Sequence, residues 1–167
     1  MRNKSFVAVA LAATVAMVSS VPAIAGSTSS NLSVSATVNA QCTVTTGAVA
    51  FGTYNPLAAT SNDATGTLNV TCTNGTPWTA AAGVGTGTGA SMATRRMTSG
   101  SNLLDYVLYT DSGRTTVWGD GSSSTSTVGS TGTGAAQPTT IYGRLPGGQS
   151  SAPVGSYADT VAVTIAF

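Results

Sequence analysis

The sequence predicts an all-β protein, a single antiparallel β-sandwich, on three observations. Apolar and polar residues alternate with period two in segment after segment, as in strands with one face buried and one face wet. Clusters of Gly, Pro, Asn and Asp cut the chain at short intervals, while no stretch carries leucines at helical spacing. Both cysteines, Cys42 and Cys72, fall on the apolar parity of such segments. Seven or eight short strands around one disulfide make a two-layer sandwich the natural solution.

The first segment stands outside that sandwich. A basic tip (Arg2, Lys4), an apolar run from Phe6 to Val18 and the small residues Ala23 and Ala25 predict a signal peptide over 1–25. The apolar run is too short for a membrane span. The expected product is an exported chain of one domain, large enough to bury a core.

Residues 31–44, NLSVSATVNAQCTV, alternate without a slip: Leu32, Val34, Ala36, Val38, Ala40, Cys42 and Val44 share one parity. Further strands are expected over 48–54, in TGTLNVTCT at 65–73, and over 78–82, 103–110, 115–118, 139–145 and 157–167. In the last of these Val161, Val163, Ile165 and Phe167 share a parity. Turns separate them at Asn55-Pro56, Asn74-Gly75-Thr76-Pro77, Asp111-Ser112-Gly113, Gly119-Asp120-Gly121 and Pro146-Gly147-Gly148. The low-complexity stretches 83–91 and 121–138 read as surface loops. With only two cysteines in an exported chain, one intramolecular disulfide, Cys42 to Cys72, is expected rather than two free thiols.

Composition restricts function sharply. Charged residues are 7% of the chain, against about 25% in ordinary globular proteins. Beyond residue 25 the charges are Arg95, Arg96, Arg114 and Arg144 against Asp63, Asp105, Asp111, Asp120 and Asp159. Such a surface does not bind nucleic acid by neutralising phosphates. It is also poorly defended by charge against self-association. There is no histidine or glutamate, and no lysine after Lys4. Histidine-based triads, histidine metal ligands and serine–lysine catalysis are thereby excluded. No catalytic residue, metal site or cofactor is expected.

Four weaker features have mundane readings. Asp111-Ser112-Gly113 echoes an aspartic-protease loop, but the second aspartate is missing and a hairpin turn suffices. Asp120 is a lone carboxylate, too little for calcium. Arg95-Arg96 could hold an acidic glycan, but the pair reads more simply as a solvated strand or loop end. Tyr54, Tyr106, Tyr109, Trp78 and Trp118 could form a sugar platform, yet at strand parity they read as core.

The segments CTVTTGAVAFGTYNP, GTLNVTCTNGTPW, LLDYVLYTDSGRTTVWGDG, IYGRLPGGQ and GSYADTVAVTIAF, in that order, carry a resemblance. Together they resemble the spore coat protein U domain and, more closely, the major pilin subunit of archaic chaperone–usher pili. The resemblance implies an immunoglobulin-like sandwich over 42–167 that lacks its last strand and is completed by a donor strand from a neighbouring subunit. It makes 26–41 the donor extension, with Leu32, Val34, Ala36 and Val38 as plugs. It makes Val161, Val163, Ile165 and Phe167 the strand that lines the groove and is grasped by a periplasmic chaperone. The implied partners are further copies of the chain in a head-to-tail polymer, the chaperone, an outer-membrane usher and minor or tip pilins, with no nucleic acid. The implied location is a surface fimbria serving adhesion and biofilm formation. The competing expectations are a monomeric secreted coat protein, whose opening strand completes its own sandwich, and a surface-binding adhesin or lectin.

Overall fold

A computed structural model describes residues 24–167. The signal-peptide features from Arg2 to Ala23 lie outside the described residues. The chain divides into a unit up to Ala36 and a second unit, Thr37–Phe167. In the first, residues 24–36 carry neither helix nor strand, and their side chains are exposed.

The second unit is built from eight strands: β1 (Cys42–Thr46), β2 (Asn62–Cys72), β3 (Pro77–Ala82), β4 (Arg95–Ser99), β5 (Asn102–Tyr109), β6 (Val128–Thr131), β7 (Gln137–Leu145) and β8 (Val163–Ala166). Five form one sheet in the order β1-β2-β7-β5-β4, and three form a second in the order β6-β3-β8. Every pairing between these strands is antiparallel. There is no helix among the described residues. The expected all-β fold of two antiparallel layers is therefore the observed one.

Period two explains the core. Leu68, Val70 and Cys72 of β2, Leu104, Tyr106 and Leu108 of β5, and Ile141 and Leu145 of β7 point inward from the large sheet and are buried. Trp78, Ala80 and Ala82 of β3 face them from the small one. Trp118 fills the gap from the connection after β5, its indole N–H donating to the Ala80 carbonyl at 3.0 Å. Trp78, Trp118 and Tyr106 are thus core, as their parity predicts, while Tyr54 and Tyr109 are half-buried.

Several expected elements differ from the observed ones. The alternating opening segment becomes a strand only at Cys42, and Leu32, Val34 and Val38 are 83 to 87% exposed. Residues 48–54 alternate but form no strand. They cross over β2 and β7 and press Val49 and Phe51 onto the core. Residues 115–118 contribute only isolated bridges, Tyr109 to Val117 and Trp118 to Ser126. The last strand is confined to β8, and β6 lies inside the low-complexity stretch read as a loop.

The crossing segment lies so close to the sheet that two glycines are needed beneath it. A Cβ at Gly143 would fall 2.6 Å from Val49 Cγ1 and 2.8 Å from Phe51 Cζ, and one at Gly66 would fall 2.6 Å from Val49 Cγ2. Gly143→Ala should therefore cost about 1 to 3 kcal/mol through overpacking. The midpoint of urea denaturation checks this, and an unchanged midpoint would show that the crossing segment yields freely.

Candidate functional site

An open groove runs along one side of the second unit, about 420 Å³ in volume. Residues 46–51 form one lip, and 157–163 form the other. Its floor is formed by the core residues Leu68, Leu108, Trp118 and Ile141. A second cleft, about 690 Å³, continues it past Val49, Phe51, Met97 and Tyr157, which line both, towards Leu145, Pro56 and Val154. The groove exists because β8 is an edge strand of the small sheet, paired only with β3. Across the opening, residues 47–51 offer no strand to close it.

The second lip changes sheets as it runs. Ala158 exchanges backbone hydrogen bonds with Thr98 of β4, at 2.8 and 3.1 Å, and the Gly83 N–H then donates to the Ala162 carbonyl at 2.8 Å. Between these anchors Asp159 pins the lip in place. Its Oδ1 accepts from the Thr86 N–H, the Thr86 hydroxyl and the Thr160 N–H, each at 2.7 Å, and its Oδ2 accepts from the Tyr106 hydroxyl at 2.7 Å. Burial pushes this carboxyl up, but the hydrogen bonds outweigh burial and hold it below the ordinary 3.8. Burial and the Asp159 bond push the Tyr106 phenol up.

Because Asp159 binds its proton less tightly in the folded chain than in the unfolded one, its contribution is present above the ordinary carboxyl range. That contribution is lost as pH falls below about 4. The stability difference between wild type and Asp159→Asn should shrink on going from pH 7 to pH 3. Urea midpoints at the two pH values check it; a constant difference would mean that the carboxylate's charge contributes nothing.

The residues expected at the site fall as follows. Val161, Val163 and Ile165 are half-buried against the core, and Val161 and Val163 line the groove; Phe167 is 58% exposed. Cys42 and Cys72 are bonded, with Cα atoms 4.1 Å apart at directly opposed positions of β1 and β2. Leu32, Val34, Ala36 and Val38 are exposed. Asp159 and Tyr106 were not singled out for this lip, because a lone aspartate in an alternating run carries no motif.

The remaining charges are accounted for within the fold. Arg144 Nε and Nη2 donate to both carboxylate oxygens of Asp63, its direct cross-strand partner, at 2.8 and 2.9 Å. Arg114 joins them at 3.3 Å and lies over the Tyr142 ring. Arg96 pairs with Asp105 at 3.0 Å. The Arg144 hydrogen bond outweighs burial and lowers Asp63. These pairs are partly exposed, so each contributes about 1 kcal/mol at most.

Arg95 corrects the sequence reading of a solvated pair. It is fully buried, donating to the carbonyls of Gly83, Trp118 and Met92 at 2.8, 2.7 and 3.1 Å. Burial lowers its pKa. Asp111 is a turn residue: its carboxylate accepts from the Thr115 and Thr116 N–H groups. Asp120 likewise accepts from the Ser122 N–H and hydroxyl. Among the described residues no three His, Cys, Asp or Glu side chains converge as a metal site would require.

Comparison with known proteins follows the same lines. The family model for the Spore Coat Protein U domain matches residues 28–164. Protein U of Myxococcus xanthus is 34% identical over 173 aligned residues, covering 95% of each chain. Among solved structures, a chain of the CsuC–CsuE chaperone–tip adhesion subunit pre-assembly complex, from archaic chaperone–usher Csu pili of Acinetobacter baumannii, superposes with a TM-score of 0.58. The match has 23% identity and covers 78% of this chain but only 40% of that one, so it speaks for the fold alone. By the family match and the near full-length relative, the chain belongs to the spore coat protein U domain family.

Proposed function

We propose that this chain is a structural subunit that polymerises into a surface fimbria by donor-strand exchange. The open groove carries the reading, because an edge strand facing a lip that forms no strand leaves room for one more strand between them. Leu32, Val34, Ala36 and Val38 of a second copy supply that strand, their alternation matching a groove with one apolar side. Thr46 lies at the groove, whereas Cys42, which follows the extension, lies about 13 Å further along the strand, so the chain's own extension would have to reverse direction to enter its own groove.

Before assembly the free edge of β8, with Val163 and Ile165, and Val161 just before it, would be an aggregation hazard. A periplasmic chaperone that adds its own strand there removes it, and an usher then exchanges that strand for the donor extension. Minor or tip subunits would join the same way. The nearly uncharged surface suits a protein that packs against its copies, with adhesion and biofilm formation as the role of the fibre. Nothing in this reading calls for catalysis or a cofactor.

The test is the size of the mature protein with and without residues 26–41. The intact chain should form multimers that persist in mild detergent, while the truncated chain stays monomeric and is stabilised by a synthetic peptide of residues 27–41. A monomeric intact chain indifferent to the peptide would instead mark a secreted coat protein.

A further inference from the structure

The lip over 157–163 changes partners on its way into β8. Ala158 is paired with Thr98 of β4, whereas from Ala162 onward the chain follows β3. The change is forced at the end of β3. There Arg95 Nε and Nη2 take the carbonyls of Gly83 and Ala82 at 2.8 and 3.4 Å, and the Ala82 N–H goes to the Gly119 carbonyl at 3.1 Å. The ladder between β3 and β8 stops at that point. In the crossing, Asp159, Thr160 and Val161 make no backbone–backbone hydrogen bond among the described residues. All three line the groove.

We propose that Asp159 is the positioning residue of this groove: its carboxylate, clasped by the 83–91 loop and Tyr106, holds the unpaired backbone of 159–161 extended for an incoming strand. The proposal rests on the donor-strand reading and names the group that keeps the receiving edge ready. A stretch without backbone partners has no ladder to fix it, and ordering each of its residues costs conformational entropy. Strand addition draws its affinity from main-chain hydrogen bonds. An edge that must first be straightened therefore receives a strand weakly, while one already held receives it well.

The place of the carboxylate argues for the role. Asp159 shares the inward parity of Tyr157, Val161 and Val163, where an apolar side chain would serve the core better. A clasp is built for it instead. The Thr86 N–H and hydroxyl and the Thr160 N–H donate to Oδ1, and the Tyr106 hydroxyl donates to Oδ2. The Thr160 bond fixes the backbone of the crossing directly. The glycine-rich loop is shaped to the same end. At Gly85, with φ of +87°, a Cβ would collide with the Asp159 carboxylate, and at Gly87 one would collide with the Arg96 carbonyl. Arg96 Nη1 donates to the Thr88 carbonyl at 3.1 Å and fastens the loop to β4. This low-complexity stretch is a fitted clasp, not a free surface loop.

The test is capture of a fluorescent peptide of residues 27–41 by the full mature chain carrying Val34→Asp, whose own donor is spoiled while its groove is intact. Anisotropy follows the rate, and near-ultraviolet circular dichroism checks that each variant is folded. Adding Asp159→Ala should slow capture at least about tenfold, the equivalent of one lost hydrogen bond to a charged group. Gly85→Ala, which pushes the carboxylate out while leaving it in the chain, should do the same. Tyr106→Phe removes one bond and should slow capture about threefold, roughly half of that free energy. Asp111→Asn weakens a turn away from the groove and should leave the rate unchanged, a control that a purely structural loss would not satisfy. Equal slowing by Asp111→Asn would overturn the proposal, as would unchanged capture in the folded lip variants. If Asp159→Ala does not fold, Tyr106→Phe decides by the same criterion. In each of these cases capture by the Val34→Asp chain leaves the donor-strand reading standing. A Val34→Asp chain that takes no peptide at all would overturn both.

Discussion

Cys72→Ser should lower the free energy of unfolding by about 3 to 4 kcal/mol, a large fraction of the 5 to 15 kcal/mol typical of a domain. The bond closes a loop across a sequence separation of 30 residues. Removing it returns that loop's entropy to the unfolded chain. The local consequence is as important as the global one. Cys42 opens β1, an edge strand held only by β2, and the bond sits at the first rung of that pairing. Without it the first rungs of β1 fray, and the anchor of the upstream extension is lost. Serine also leaves a hydroxyl in a place that is 1% exposed, a cost that the double variant Cys42→Ala/Cys72→Ala avoids. Urea denaturation of the three proteins separates the two contributions. A single variant as stable as wild type would show that the bond merely decorates a strand pairing that holds by itself.

The legible part of the fold is the part where pattern and pairing coincide. β2, β3, β5 and β7 each alternate cleanly because each has one face on the core and neighbours on both sides. Residues 48–54 alternate for half of that reason. Val49 and Phe51 pack inward, but the backbone lies across Gly66 and Gly143 instead of in a ladder. Periodicity reports burial and is silent on hydrogen bonding. β6 was hidden for the opposite reason: Val128-Gly129-Ser130-Thr131 pairs with β3 but has a single large apolar residue to announce it. Arg95 was misread because an arginine pair looks solvated by default. Its burial depends on the carbonyls of Gly83, Met92 and Trp118 converging from separate loops, which no local window contains. The groove was legible only through resemblance, since a gap between two segments carries no residue pattern of its own. Its lip around Asp159 depends on partners at Thr86 and Tyr106, far away in sequence.

Val34→Asp should abolish fibre formation while leaving the subunit folded. In the proposed polymer Leu32, Val34 and Val38 each bury at about 1.5 to 3 kcal/mol and Ala36 adds less, roughly 5 to 10 kcal/mol in all before the entropy of ordering the segment. An aspartate at position 34 forfeits its share and places a carboxylate against the apolar floor, where no arginine waits to pair with it. Arg95 is committed to the carbonyls of Ala82, Gly83, Met92 and Trp118, and Arg96, Arg114 and Arg144 lie on aspartates. Desolvating that charge costs several kcal/mol more. The subunit itself loses nothing, because Val34 is 85% exposed in it. Its urea midpoint, measured on the monomer, should therefore match that of the truncated wild type. Ser33→Asp puts the same charge one residue away on the other parity, in water, and should assemble close to normally. Electron microscopy and size analysis of the two variants make the comparison. Equal assembly of both would mean that parity is irrelevant and that the extension is no donor strand. A Val34→Asp monomer that unfolds would place the strand inside its own domain, and the polymer reading would fall with it.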